Sequence, residues 1–216
     1  MPSGRTNSTY RVRQARTLVI GIAGGAGSGK TTLAKILAEY GARVVDADRL
    51  GHRLLWRQGP AYGRVVQKFG RDILGRQGAI ERKKLGRLVF SDPAKMKALN
   101  RIVHPILKKE LWAKIEKLRA AGRSPIIVDA ALLVFWGFKS RVDRLVAVTA
   151  PDGIRLRRLI AKGIEPHQAA DIIRSQEPQK RIAREADLVI ENRGTLAQLR
   201  RRARKAWRSL LSEELY

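Results

Sequence analysis

Apolar residues fall along this chain in two alternating rhythms. Continuous runs of strand length occur at "LVIGIA" (Leu18 to Ala23), "ARVVDAD" (Ala42 to Asp48), "PIIVDA" (Pro125 to Ala130), "RLVAVTA" (Arg144 to Ala150) and "DLVIEN" (Asp187 to Asn192). Strands covered on both faces of a parallel sheet need such runs, with little polar alternation. Between them the rhythm is helical: Leu33, Ile36, Leu37 and Tyr40 recur at i, i+3, i+4 and i+7, and Leu196, Leu199, Ala203, Ala206 and Leu210 draw a second stripe. Strands alternating with helices predict an α/β fold, an open parallel five-stranded sheet with helices on both faces.

The spacing is uneven. About 75 residues separate the second and third runs, far more than a crossover needs. This stretch, Arg49 to Ser124, is rich in helical spacing and predicts an inserted helical subdomain (49–124). A second helical excursion, Pro151 to Glu185, lies between the fourth and fifth runs. The remaining core spans 17–48 and 125–216. Residues 1–16 lack periodicity, carry four arginines and read as a basic, disordered leader.

Immediately after the first run comes "GGAGSGKTTL", which fits G-x-x-x-x-G-K-[ST] from Gly24 to Thr31. Bare backbone is required where successive N–H groups wrap nucleotide phosphates. On this reading Gly25, Ala26, Gly27, Ser28, Gly29, Lys30, Thr31 and Thr32 line the phosphates of a nucleotide. Lys30 sits on the β- and γ-phosphates, and the Thr31 hydroxyl ligates Mg²⁺. In such a phosphate-loop protein, the excursion at 151–185 is where a kinase carries a helical lid.

Asp46 and Asp48 stand at the C-terminal end of the second run, the edge where ligands of open α/β sheets bind. Period-2 geometry would put both carboxylates on one face of a strand. In phosphoryl transfer to an alcohol, Asp48 would orient or deprotonate the hydroxyl and Asp46 would hold the metal through water. The alternative is that one of them caps the next helix.

Composition narrows the class. A chain of 216 residues with 44% hydrophobic content buries a proper core. It has no cysteine, so disulfides and thiolate metal sites are excluded, and no apolar run suits a membrane span. A cytoplasmic location is expected. The charge is less ordinary: 45 Lys+Arg against 19 Asp+Glu give a formal +26. The excess is spread along the chain, with the densest run at "RRRARK" (Arg200 to Lys205), and no nucleic-acid motif accompanies it. The run is expected to be the solvated face of a docked terminal helix. Specific nucleic-acid binding is not expected, though non-specific binding is compatible with this charge. The oligomeric state is not encoded in any pattern.

The run "GIAGGAGSGKTTLAKILAEYGARVVDADRLGHRLL" resembles the start of dephospho-CoA kinases. The resemblance continues through "GPAYGRVVQKFGRDIL", "GAIERKKLGRLVFSDP", "LNRIVHPIL", "IIVDAALL", "RLVAVTAPDGIRLRRLIAKGIEPHQAADIIRSQ" and "ADLVIENRG", spanning roughly residues 18–195. It implies a nucleoside-monophosphate-kinase-like fold with a helical CoA domain and a lid. The implied activity is ATP-dependent phosphorylation of the ribose 3′-hydroxyl of dephospho-CoA, the last step of coenzyme A synthesis. By motif position, Asp48 would face the acceptor hydroxyl, and Arg82 and His104 would lie near the acceptor. Arg158 would bridge the transferring phosphates, and Asn192 would border adenine.

Each residue also has a plainer reading. His104 before Pro105 suits a helix-ending turn, Arg82 suits a pair with Glu81 or Asp72, and Arg158 suits a solvated lid face. Trp56, Trp112, Trp136 and Trp207 read as core or interface residues. The chain departs from the family where "DAALLVF" (Asp129 to Phe135) lacks the usual proline and terminal acid, at Ala131 and Phe135. Arg155 stands in place of a lid glutamine, and Lys162 in place of an arginine, which lysine does not reproduce as a bidentate clamp. These changes leave open a kinase of another nucleotide-like acceptor, a nucleic-acid-binding ATPase, or a weakened homologue.

Overall fold

The computed structural model describes residues 17–122, 124–130, 138–176 and 178–212. The leader, and with it Ala131, Phe135 and Trp136, lies outside the described residues.

Among the described residues five strands form: β1 (Val19–Ala23), β2 (Arg43–Asp46), β3 (Ile126–Asp129), β4 (Arg144–Thr149) and β5 (Leu188–Glu191). They order as β2-β3-β1-β4-β5, with every neighbouring pair parallel. Each strand lies within its predicted run. The second is the exception that matters, because it stops at Asp46 and Ala47 already begins a helix.

The helices are α1 (Lys30–Glu39), α2 (Ala47–Leu54), α3 (Tyr62–Phe69), α4 (Arg82–Phe90) and α5 (Pro93–Ala120), followed by α6 (Asp152–Ile160), α7 (Pro166–Ser175), α8 (Gln179–Glu185) and α9 (Leu196–Leu211). They cover both faces of the sheet. On one face, Ile20, Ile22, Ile127, Val146 and Val148 pack against Leu33, Ile36 and Leu37 of α1 and Leu199, Ala203 and Leu210 of α9. On the other, Val19, Ala23, Val45, Val128 and Ala147 share a core with Leu107, Leu111 and Ile115 of α5 and with Leu50 and Leu54 of α2. Strand alternation assigns odd and even positions of β1 to opposite cores.

The inserted helices therefore share a core with the sheet. α5 makes this connection, since its 28 residues extend for about 42 Å. Its second half lies under the strands, while α4 and α2 pack along it. The expected turn at Val103-His104-Pro105 is not there: α5 runs through Pro105, which costs one backbone hydrogen bond. Its ladder continues on both sides, secured by Leu107, Leu111 and Ile115 beyond the proline.

Trp112 packs at the edge of the core with Arg141 over its ring, and Trp207 packs against Tyr40. Trp56 is 63% exposed, so for it a core position is ruled out. Among the described residues, no helix is long and apolar enough to cross a membrane.

Candidate active site

The sequence between β1 and α1 folds into a glycine-rich loop that leads directly into the helix. Gly24 has φ +153°, and a Cβ there would collide with the Val148 carbonyl. Gly29 has φ +103° and precedes α1 with no side-chain cap, so the first N–H groups of the helix are left for a ligand. The Ser28 Oγ is buried with no partner among the described residues. A loop of glycines, a bare helix N-terminus and an orphaned hydroxyl fit an anion such as a nucleotide phosphate chain.

The carbonyl side of the loop is held from behind. Asn192, buried at the end of β5, donates from Nδ2 to the Ser28 carbonyl at 2.8 Å. Arg158 of α6 donates to the carbonyls of Gly27 (3.1 Å) and Ser28 (3.3 Å), and to the Asn192 carbonyl and Oδ1 (both 3.2 Å). Arg158 is thus half-buried against the loop, not on a solvated lid face, and this burial lowers its pKa. Asn192 lies behind the loop with both polar side-chain atoms engaged.

Arg155, one turn earlier on α6, is only 3% exposed. Its Nε donates to the Ala26 carbonyl (2.8 Å), its Nη1 to Asp152 (2.9 Å) and its Nη2 to Gln176 Oε1 (2.7 Å). Gln176 Oε1 also accepts from the Ala26 amide at 2.8 Å. Helices α6 and α7, in the stretch expected to form the lid, are therefore latched to the middle of the glycine loop through a buried arginine. Nothing in "RLRR" distinguishes this arginine from its exposed neighbour Arg157; the three-residue offset from Asp152 is the only local hint. Lys162 lies exposed in the turn after α6, away from these contacts.

Across the loop stand three carboxylates. Asp46 and Asp129 are register partners at the ends of β2 and β3. Asp46 caps α2, its Oδ1 accepting from the Arg49 amide at 2.8 Å. Asp48 consequently sits in the first turn of α2, which corrects the expectation that both aspartates share a strand face. The cap is strong because aspartate at a helix N-terminus bonds an orphan amide and meets the positive end of the dipole.

Burial raises the Asp48 pKa, while the nearby Lys30 charge pulls it down and Asp46 pushes it up again. Asp129 is 5% exposed and is also raised, first by burial, although Lys30 and the Thr31 hydrogen bond oppose the shift. The Thr31 Oγ1 donates to Asp129 Oδ2 at 2.8 Å. Asp129 was not among the residues predicted for the site; its signal was a lone carboxylate ending the apolar third run. Among the described residues, no cluster of three or more His, Asp or Glu side chains forms a metal cage. The hydroxyl and carboxylate pair is what such loops offer to Mg²⁺ bound with phosphate.

Beyond Asp48 a cavity of about 320 Å³ opens between α2 and α5, lined by Asp48, His52, Leu55, Asn100, Val103 and His104 among others. His104 faces it from mid-helix, and burial lowers its pKa, with Lys108 adding to the shift. Arg82, at the start of α4, pairs neither with Glu81 nor with Asp72 but approaches His52 Nε2 at 2.9 Å. An arginine only donates, so the His52 proton belongs on Nδ1. His52 links Arg82 to the Asp48 edge and was also missed; it lies one helical turn after Asp48.

A parallel 2-3-1-4-5 sheet, a glycine loop entering a Gly-Lys-Thr helix start and acidic strand ends facing a cavity define a P-loop kinase. The dephospho-CoA kinase family model matches residues 18–198. The chain belongs to the dephospho-CoA kinase family.

It is 36% identical to the dephospho-CoA kinase of Symbiobacterium thermophilum over 91% of this chain and 82% of that protein. It is 39% identical to that of Carboxydothermus hydrogenoformans over 84% of this chain and 89% of that one. Among solved structures it is similar to TT1252 from Thermus thermophilus, with a TM-score of 0.75 and 32% identity over 91% of this chain and 99% of that one. The shikimate kinase of Acinetobacter baumannii, at 18% identity and a TM-score of 0.52 over 94% of this chain and 97% of that one, shares the fold.

Proposed function

We propose that this protein transfers the γ-phosphoryl group of ATP to the ribose 3′-hydroxyl of dephospho-CoA, the last step of coenzyme A synthesis. The observation that carries the reading is the position of Asp48, with Lys30 and the phosphate loop on one side and the cavity between α2 and α5 on the other. A hydroxyl placed in that cavity meets a carboxylate on its way to the phosphate.

Each residue then has a role. The amides at the start of α1 and the Lys30 ammonium hold the phosphates and offset the charge of the transferring group, and the Ala26 amide joins them only by leaving Gln176. Asp48 accepts a hydrogen bond from the acceptor hydroxyl and takes its proton; the raised pKa makes it a better base than an ordinary aspartate. Thr31 and Asp129, with Asp46 beside them, would hold Mg²⁺, which supplies charge neutralisation between the β- and γ-phosphates. Arg82, His52 and His104 bind the acceptor. Arg158 steadies the loop from its carbonyl side, and reaching a phosphate would require it to exchange those carbonyl contacts. Asn192 fixes the Ser28 carbonyl from the end of β5.

The test is an acceptor panel. The purified protein is incubated with ATP and Mg²⁺ and with dephospho-CoA, adenosine or shikimate in turn, and each acceptor is followed by mass spectrometry. Dephospho-CoA gains one phosphate and the others do not. Transfer to another acceptor in preference to dephospho-CoA would overturn the substrate assignment while leaving the kinase class.

A further inference from the structure

The densest basic run is used neither by the phosphate loop nor by the acceptor cavity. It lies on α9, whose apolar stripe is docked on the sheet and α1, so Arg200, Arg201, Arg204, Lys205 and Arg208 are all exposed. These side chains do not splay from a convex surface. With Tyr40 and Glu39 from the end of α1 they line a groove of about 650 Å³. Glu39, its one acid, is taken up by a two-point ion pair with Arg200 (Nη2 to Oε1, 3.0 Å). The pair lowers the Glu39 pKa and raises that of Arg200. Four cations, Arg201, Arg204, Lys205 and Arg208, are left facing the groove along about two turns of α9, the adjacent pair in the middle and one residue about a turn to either side.

Tyr40 adds a second and different signal. It is half-buried, its ring tilted against Trp207 at 6.4 Å between centroids, and it still contributes to the groove wall. A cationic groove that follows a backbone, with an aromatic face beside it, is the arrangement that binds single-stranded nucleic acid. Anionic membrane surfaces reward exposed apolar side chains at the rim of a flat face, whereas this aromatic sits inside a concavity. The groove is also remote from the ATP phosphates, because it lies at the far end of α1, about 15 Å from Lys30.

We propose that the groove between α1 and α9 binds single-stranded nucleic acid through its phosphate backbone and one stacked base, without sequence preference. The binding is local. It belongs to this groove and not to the overall +26 charge, and it is independent of the kinase reaction.

The experiment measures binding of a fluorescein-labelled 20-nucleotide oligo(U) by anisotropy as salt is raised from about 50 to 200 mM. Three proteins are compared: wild type, the groove triple Arg201→Ala, Arg204→Ala, Arg208→Ala, and a control triple Arg64→Ala, Lys68→Ala, Lys97→Ala. The control removes the same charge from exposed sites in the helical insertion. Alanine is the best helix former, and phosphoryl transfer and an unchanged melting temperature verify each fold.

Each lost phosphate contact on a single strand makes the log–log salt slope shallower by about 0.7, so the groove triple should lose about 2 and bind at least about tenfold more weakly. The control should keep most of the wild-type slope and affinity. Tyr40→Leu should weaken binding roughly 5- to 100-fold with the slope unchanged, since stacking is not ionic. Equal losses in both triples would reduce the effect to bulk charge and overturn the proposal. So would an unaltered groove triple, no oligonucleotide binding by wild type, or binding to phosphatidylcholine vesicles containing phosphatidylserine through the same arginines without binding to oligo(U).

Discussion

Asp48 is the residue on which the proposed chemistry turns. Its first-turn position on α2 follows from Asp46 capping that helix, so one aspartate positions the other. Asp48→Asn should lower kcat by about 10²–10⁴-fold, the range for loss of general-base catalysis, with ATP affinity kept. The pH profile gives a finer check. Since the Asp48 pKa is raised, the acid limb of kcat/KM should lie above the ordinary aspartate range of about 4, and it should vanish in Asp48→Asn.

Stability runs the other way. A carboxyl group with a raised pKa holds its proton longer when folded than when unfolded, so stability falls as pH rises from the unfolded value through the folded one. Removing that charge should therefore stabilise the ligand-free protein at neutral pH. Asp129→Asn should raise Tm by about 2–4 °C in thermal melts, the shift that about 1 kcal/mol produces at this size, because Asp129 is the buried one of the two. A lower Tm would contradict the burial account of this carboxylate. For the acceptor side, Arg82→Ala and His52→Ala should each raise KM for dephospho-CoA about tenfold, with KM for ATP unchanged, as lost uniform binding does.

At the scale of elements, the latch between the lid and the phosphate loop is the least expected feature. Arg155 was legible only as a departure from the family pattern, because its partners, Ala26 and Gln176, lie 129 and 21 residues away. Arg155→Ala would strand the Ala26 carbonyl, an acceptor bonded by a charged donor, at a cost of about 1.5–3 kcal/mol. The expected result is weaker ATP binding in calorimetry and a lower Tm. Arg155→Lys should not rescue it, since lysine lacks the fork that reaches Ala26, Asp152 and Gln176 together. Equal ATP affinity in all three proteins would remove the latch from the site.

The strands were readable to within two residues of their ends because buried parallel strands are written as continuous apolar runs. Two element boundaries were not. α2 begins inside what reads as strand, where a cap overrides the alternation, and α5 continues through His104-Pro105, where packing on both sides outweighs one lost hydrogen bond.

For the whole molecule, the sheet order brings residues from β1, β2, β3 and α6 to one edge, and that order is not written in any local pattern. The glycine loop with Lys30 and Thr31 stands out in the sequence because its motif is contiguous, whereas Asp48 was expected on a strand and lies in the first turn of α2. Asp129 and His52 could not, since their significance depends on register and on a helical turn across the cleft. The core beneath the sheet likewise ties the inserted helices to the strands through α5, so the two sides of the proposed site belong to one packed body.

The measurement that bears most directly on this account is single-turnover transfer from ATP to dephospho-CoA, compared in wild type, Lys30→Ala and Asp48→Asn, with ATP binding measured on the same samples. The predicted result is phosphorylation of the 3′-hydroxyl by wild type, loss of both binding and transfer in Lys30→Ala, and retained binding without transfer in Asp48→Asn. Near-normal transfer by Asp48→Asn would contradict the role given to the carboxylate at the centre of the site.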